Sequence, residues 1–131
     1  MRFAALLIFL FSIAWAIPED YWAHDEPFSL AKDEFASWIV DENIFSVRFS
    51  LFHNRGLVTH IKYDHFPYQG ILYDDYKQNA VKIPVKTTQT VTPPEPYAMV
   101  VFEGFDTENK RAKMHLYLFD PQGIVTIKKA E

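Results

Sequence analysis

Along residues 28–41 the apolar positions recur at three- and four-residue steps. Phe28, Ala31, Phe35, Trp38 and Ile39 share one side of a helical projection, while Lys32, Asp33, Ser37 and Asp41 share the other. Ser29 stands where an N-cap would, and Asn43 where the helix would stop. The pattern predicts one amphipathic helix, roughly 21 Å long, with its aromatic stripe turned to the core.

From Ile44 the period becomes two. Phe45, Val47, Phe49 and Leu51 alternate with Ser46, Arg48 and Ser50. Asn54-Arg55-Gly56 then reads as a three-residue hairpin loop with Gly56 in the left-handed position. That loop sets Leu51 by Thr59, Phe49 by Ile61 and Val47 by Tyr63 on an apolar face. It sets Ser50 by His60, Arg48 by Lys62 and Ser46 by Asp64 on a polar one. Phe66–Gly70 reads as a turn, and Ile71–Asn79 as either a short helix or a strand. Val81–Lys86 alternates again, with Pro84 and the outward lysines marking an edge strand.

Tyr97–Phe105 and Arg111–Phe119 flank the polar loop Asp106–Lys110 and predict a second hairpin. Its register pairs Phe102 with Met114, Val100 with Leu116, Ala98 with Leu118 and Glu103 with Lys113. Asp120-Pro121-Gln122-Gly123 has turn chemistry and leads into Ile124–Lys128, expected as a third strand of that ribbon. The fold class expected is α+β: one N-terminal helix packed on a curled antiparallel sheet of about five to six strands.

Composition narrows the setting. The chain has 131 residues, no cysteine and a formal charge of −4. One domain is expected, without disulfides, without a cysteine-based zinc site and without the basic surface of a nucleic-acid binder. Met1-Arg2, the apolar run Phe3–Ile13 and the small-residue site Ala14-Trp15-Ala16 together read as a secretory signal peptide over residues 1–16. The run is shorter than the roughly 20 residues of a membrane span. The mature form is therefore expected to be extracellular and free of the membrane. Residues 17–27 read as an irregular acidic and aromatic arm, and residues 28–131 as a single α+β domain. Charge is uneven, with eight acids and one base, Lys32, in residues 17–43.

Candidate chemistry is sparse. Ser50, His60 and Asp64 share the polar face of the first hairpin, but Asp64 lies about 13 Å along the strand from His60, too far to orient the imidazole. His24, His53, His60, His65 and His115 show no metal-ligand spacing, and the four glycines are too scattered to cradle a phosphate. No cofactor or metal is expected. If the protein were a small hydrolase or isomerase, His60 or His115 would be its base, in the concavity of the sheet. If it were a protease inhibitor, Asn54–Gly56 or Asp106–Lys110 would be its loop.

The second hairpin carries a surplus. Ala98, Val100, Phe102, Met114, Leu116 and Leu118 form one apolar face, yet Tyr97, Met99, Val101, Tyr117 and Phe119 crowd the other. One helix shields only one side of a sheet, and exposed apolar patches of a few hundred Å² commonly mark binding surfaces. Those five residues are the candidate site of a non-enzymatic binding protein. Its partner would be a small hydrophobic ligand, another protein or a second copy in a homodimer. The internal alternative is cover by Tyr21 and Trp22 and by the segment holding Phe66, Tyr68, Tyr73 and Tyr76.

A helix followed by a curled antiparallel sheet resembles, in topology, the cystatin-like and nuclear transport factor two-like architectures. The cystatin Gln-x-Val-x-Gly loop would fall at Phe52-His53-Asn54-Arg55-Gly56, where only the glycine matches. Protease inhibition is therefore not carried over. The second architecture has more helices before its long strands than this chain shows.

Overall fold

The computed structural model describes residues 22–75, 77–87 and 93–130. The signal peptide read over residues 1–16 and the first part of the arm lie outside them. Nine strands follow one another: β1 (His24–Ala31), β2 (Ala36–Val40), β3 (Asn43–His53), β4 (Gly56–Tyr63), β5 (Phe66–Tyr73), β6 (Ala80–Pro84), β7 (Tyr97–Asp106), β8 (Arg111–Phe119) and β9 (Ile127–Lys129). They form two antiparallel sheets, sheet A in the order β1-β8-β7-β6 and sheet B in the order β5-β4-β3-β2-β9. The sheets pack face to face as a sandwich.

The expected α+β class is thus corrected to all-β, and no helix occurs among the described residues. Residues 28–41 are not a helix but parts of two strands in different sheets. Phe28 and Leu30 of β1 turn inward, as do Ala36, Trp38 and Val40 of β2. The turn between them, with Asp33 at φ 63°, shifts the phase of the alternation, so two strand patterns joined end to end mimic a helical one. Phe35, assigned to the helical core stripe, is 64% exposed. The strands suit their residues, since Trp, Ile, Val and Phe favour a pleated, half-buried surface. The arm is corrected too, because His24–Pro27 belong to β1, paired along β8.

The first hairpin keeps its apolar and polar faces but not its register. Its loop is a two-residue turn, Asn54-Arg55, with both φ values positive and His53 opposite Gly56. The turn shifts the register by one residue and a bulge at Ser50 by one more, so Phe49 faces Thr59 and Val47 faces Ile61, a two-residue slip that leaves these side chains on their expected side. The same bulge reverses the alternation, exposing Leu51 and turning Phe52 to the core.

Phe66–Tyr73 is neither turn nor helix: it is β5, paired along the whole of β4 through a tight turn at Asp64-His65. In the second hairpin the expected pairs from Ala98–Leu118 to Phe102–Met114 are present, but a bulge at Glu103 places Gly104, not Glu103, opposite Lys113. The last strand does not extend that ribbon. It crosses to sheet B, where Trp38, Ile39 and Val40 of β2 pair with Lys129, Lys128 and Ile127 of β9.

The core lies between the sheets. Trp38, Phe45, Phe49 and Tyr63 of sheet B meet Val100, Phe102, Met114 and Leu116 of sheet A, all essentially inaccessible. Phe52 stacks on Phe105 at 4.2 Å and meets Phe102 edge-on at 6.0 Å. At one margin Trp38 donates Nε1–H to Glu26 Oε1 at 3.2 Å, and Lys129 sits 4.1 Å over the Trp38 ring. These contacts tie β1 to β2 and β9.

Candidate functional site

With the core between the sheets, the alternation of β7 and β8 sends Tyr97, Met99, Val101, His115, Tyr117 and Phe119 to the outer face of sheet A. Cross-strand pairing sets Tyr97 by Phe119, Met99 by Tyr117 and Val101 by His115. The five residues expected to bind a partner are therefore brought together. Phe119 is buried, and the other four are half-buried.

Their cover comes from the chain itself. Trp22, just before β1, lies 4.9 Å from the Tyr117 ring and meets Tyr97 and Phe119 edge-on at 6.2 and 6.4 Å. Tyr97 stacks on Phe119 at 5.0 Å, and Lys82 of β6 lies 4.7 Å from the Tyr97 ring centre. Trp22 thus provides the internal cover expected of it, whereas Phe66, Tyr68 and Tyr73 belong to the other sheet, and Tyr21 and Tyr76 lie outside the described residues.

His115 completes the face. Its ring stacks on Tyr117 at 4.4 Å, its Nδ1 lies 3.3 Å from Glu103 Oε1, and its Nε2 contacts Asp25 Oδ1. The bulge at Glu103 brings that carboxylate beside the ring, and β1 supplies Asp25. Sequence pairs Glu103 with Lys113 rather than His115 and does not single out Asp25, since both contacts depend on strand pairing. Burial, then the charges of Asp25 and Glu103, push the Tyr117 hydroxyl above its ordinary value. Both His115 ring nitrogens therefore face carboxylates of this chain. The two acids approach from opposite sides of the ring, and among the described residues no group of His, Asp or Glu converges as metal ligands.

The outer face of sheet B is different. Ser50 Oγ and His60 Nε2 are 2.8 Å apart, and burial, then the Arg48 charge, holds His60 below its usual range. Asp64 turns away to Lys86 Nζ at 2.9 Å, while Arg48 Nη1 donates to Asp33 Oδ1 at 2.8 Å. Among the described residues no carboxylate hydrogen-bonds His60. Of the two loops weighed for inhibition, Asn54-Arg55 is a tight turn. Asp106–Lys110 is folded on itself, with the Asp106 carboxylate accepting from the Glu108 and Asn109 amides.

Among the described residues no helix is long and apolar enough to cross a membrane. No family model, no curated protein and no solved structure matches the chain.

Proposed function

We propose that the protein is an exported, non-catalytic binding module whose recognition surface is the outer face of sheet A. The partner would be a protein or a small hydrophobic ligand with an apolar, ring-sized contact and a polar rim. One observation carries this reading: Tyr97, Met99, Val101 and Tyr117 are gathered half-exposed on a face the core does not need. Aromatic and methionine side chains gathered away from a core are the composition of binding surfaces. Lys82 and the His115–Asp25–Glu103 group supply charges around them.

Native mass spectrometry of protein recovered from the medium of secreting cells tests this. The expected result is a retained ligand or partner mass in the parent chain, lost in Met99→Lys while the thermal melt is unchanged. A bare parent chain, indistinguishable from Met99→Lys, would overturn the proposal.

A further inference from the structure

Four strands end the two sheets: β1 and β6 in sheet A, β5 and β9 in sheet B. An edge strand presents unpaired backbone groups, and folded proteins commonly guard them with charge, proline or brevity. β1 carries Asp25, Glu26 and Pro27, and β6 carries Lys82 and Pro84. β9 has only three residues, two of them lysines. β5 is the exception, with eight residues, Phe-Pro-Tyr-Gln-Gly-Ile-Leu-Tyr, no charge, and a single proline near its start.

The backbone of β5 is also open. The two-residue turn makes Tyr63 and Phe66 a hydrogen-bonded pair, so Phe66, Tyr68, Gly70 and Leu72 direct their polar groups to β4. Pro67, Gln69 and Ile71 direct theirs outward. Tyr73, in the same outward set, shows the consequence: its N–H donates away from β4, to the Gln78 carbonyl at 3.0 Å. Gln69 and Ile71 each offer a donor and an acceptor, and no strand lies beyond β5 among the described residues.

Apolar side chains flank this edge on both sides, with Gln69 among them. On the outer side Ile71, 52% exposed, continues a cross-strand row with Val58 and Leu51, the latter 50% exposed. On the inner side a cavity of about 150 Å³ opens at the margin of the sandwich, lined by Ile61, Tyr68, Gly70, Leu72 and Val81.

We infer that β5 is a self-association edge: two copies pair β5 to β5, antiparallel, about a two-fold axis at Gly70. In this register each Gln69 faces Ile71 of the other copy and exchanges two backbone hydrogen bonds with it. Gly70 faces Gly70 with no side chain between, at a site where a Cβ would meet nothing within 4 Å. On the outer surface the Ile71 side chains of the two copies become diagonal neighbours across the seam, which brings the ends of the two apolar rows together.

Charge is balanced at both ends of β5, which suits a second copy paired antiparallel. Arg55 Nη2 pairs with Asp74 Oδ1 at 2.7 Å near one end of β5, and Lys86 Nζ pairs with Asp64 Oδ2 at 2.9 Å near the other. Antiparallel pairing sets the first ion pair of one copy beside the second of the other, so each end of the seam holds two acids and two bases with no excess of like charge. This isologous fit is the ordinary geometry of a two-fold dimer.

Sedimentation velocity of the purified chain over a wide concentration range tests the inference, with circular dichroism and thermal melts confirming that each variant is folded. The parent is expected to dimerise with rising concentration. Gln69→Pro deletes one outward N–H in each copy and should weaken association about thirtyfold, because the two-fold repeats the loss. Ile71→Lys should also yield monomer, while Met99→Lys on the other sheet should leave the dimer intact. Hydrogen exchange on the parent gives a readout independent of any variant: the Gln69 and Ile71 amides should slow as concentration rises. A parent that stays monomeric, a dimer indifferent to both β5 variants, or an edge that takes up only an added extended peptide would each overturn the inference.

Discussion

The hairpins β3–β4 and β7–β8 are alike inside and unlike outside. Each is central in its sheet, each buries one apolar face, and each is broken once by a bulge, at Ser50 and at Glu103. Their outer faces diverge. β3–β4 shows Ser46, Arg48, Ser50, His60 and Lys62, whereas β7–β8 shows Tyr97, Met99, Val101, Tyr117 and Phe119. Packing explains both inner faces. It does not call for rings on an outer one, and those unneeded rings are what set one face apart as a candidate for recognition.

The largest expected effect probes the likeness. Phe49→Ala and Phe102→Ala each remove a fully buried ring, and each should destabilise the fold by about 3–5 kcal/mol in denaturant titrations. A large inequality would show that the two inner faces are not equivalent. The outer faces should separate next. Trp22→Ala strips the cover from Tyr117, Tyr97 and Phe119 and should cost about 1–2 kcal/mol. Arg48→Ala loses a partly exposed ion pair with Asp33 and should cost less than about 1 kcal/mol. Equal losses would erase the contrast.

The smallest effects lie in pH dependence and have opposite signs on the two faces. His60 is held below its ordinary value of 6.5, by burial first and Arg48 second. Its contribution to stability is present above that value and lost as pH falls through the lower folded one. Tyr117 is raised above 10.0, by burial first and then by Asp25 and Glu103. Its contribution is present below that value and lost as pH rises through the folded one, with buried Tyr63 shifting in the same direction. Thermal melts across pH should show His60→Gln flattening the acid limb and Tyr117→Phe flattening part of the alkaline limb.

Much of this contrast was legible in the chain. The alternation from Phe45 to Phe49 and from Ala98 to Phe102 identified inner and outer residues correctly, and the register from Ala98 to Phe102 was right. The failures cluster where turns intervene. Asp41-Glu42, Asn54-Arg55 and Asp64-His65 are all two-residue turns with both φ values positive, and none contains the glycine that usually announces such a turn. Each begins with Asp or Asn, the residues that best tolerate the left-handed region, and that was the overlooked signal. The bulges at Ser50 and Glu103 left no signal, because an extra residue in one strand is defined only against its partner.

By itself, the amino-acid order determined, within unbroken runs such as Phe45–Phe49 and Ala98–Phe102, which side chains avoid water and which neighbours share a side, because those are properties of residues one and two positions apart. Tertiary structure alone decided that residues 28–41 divide between two sheets, that the last strand crosses to join β2, and that Asp25 meets His115. Those outcomes depend on contacts between segments far apart in the chain, and local periodicity contains no record of which edge a strand will join.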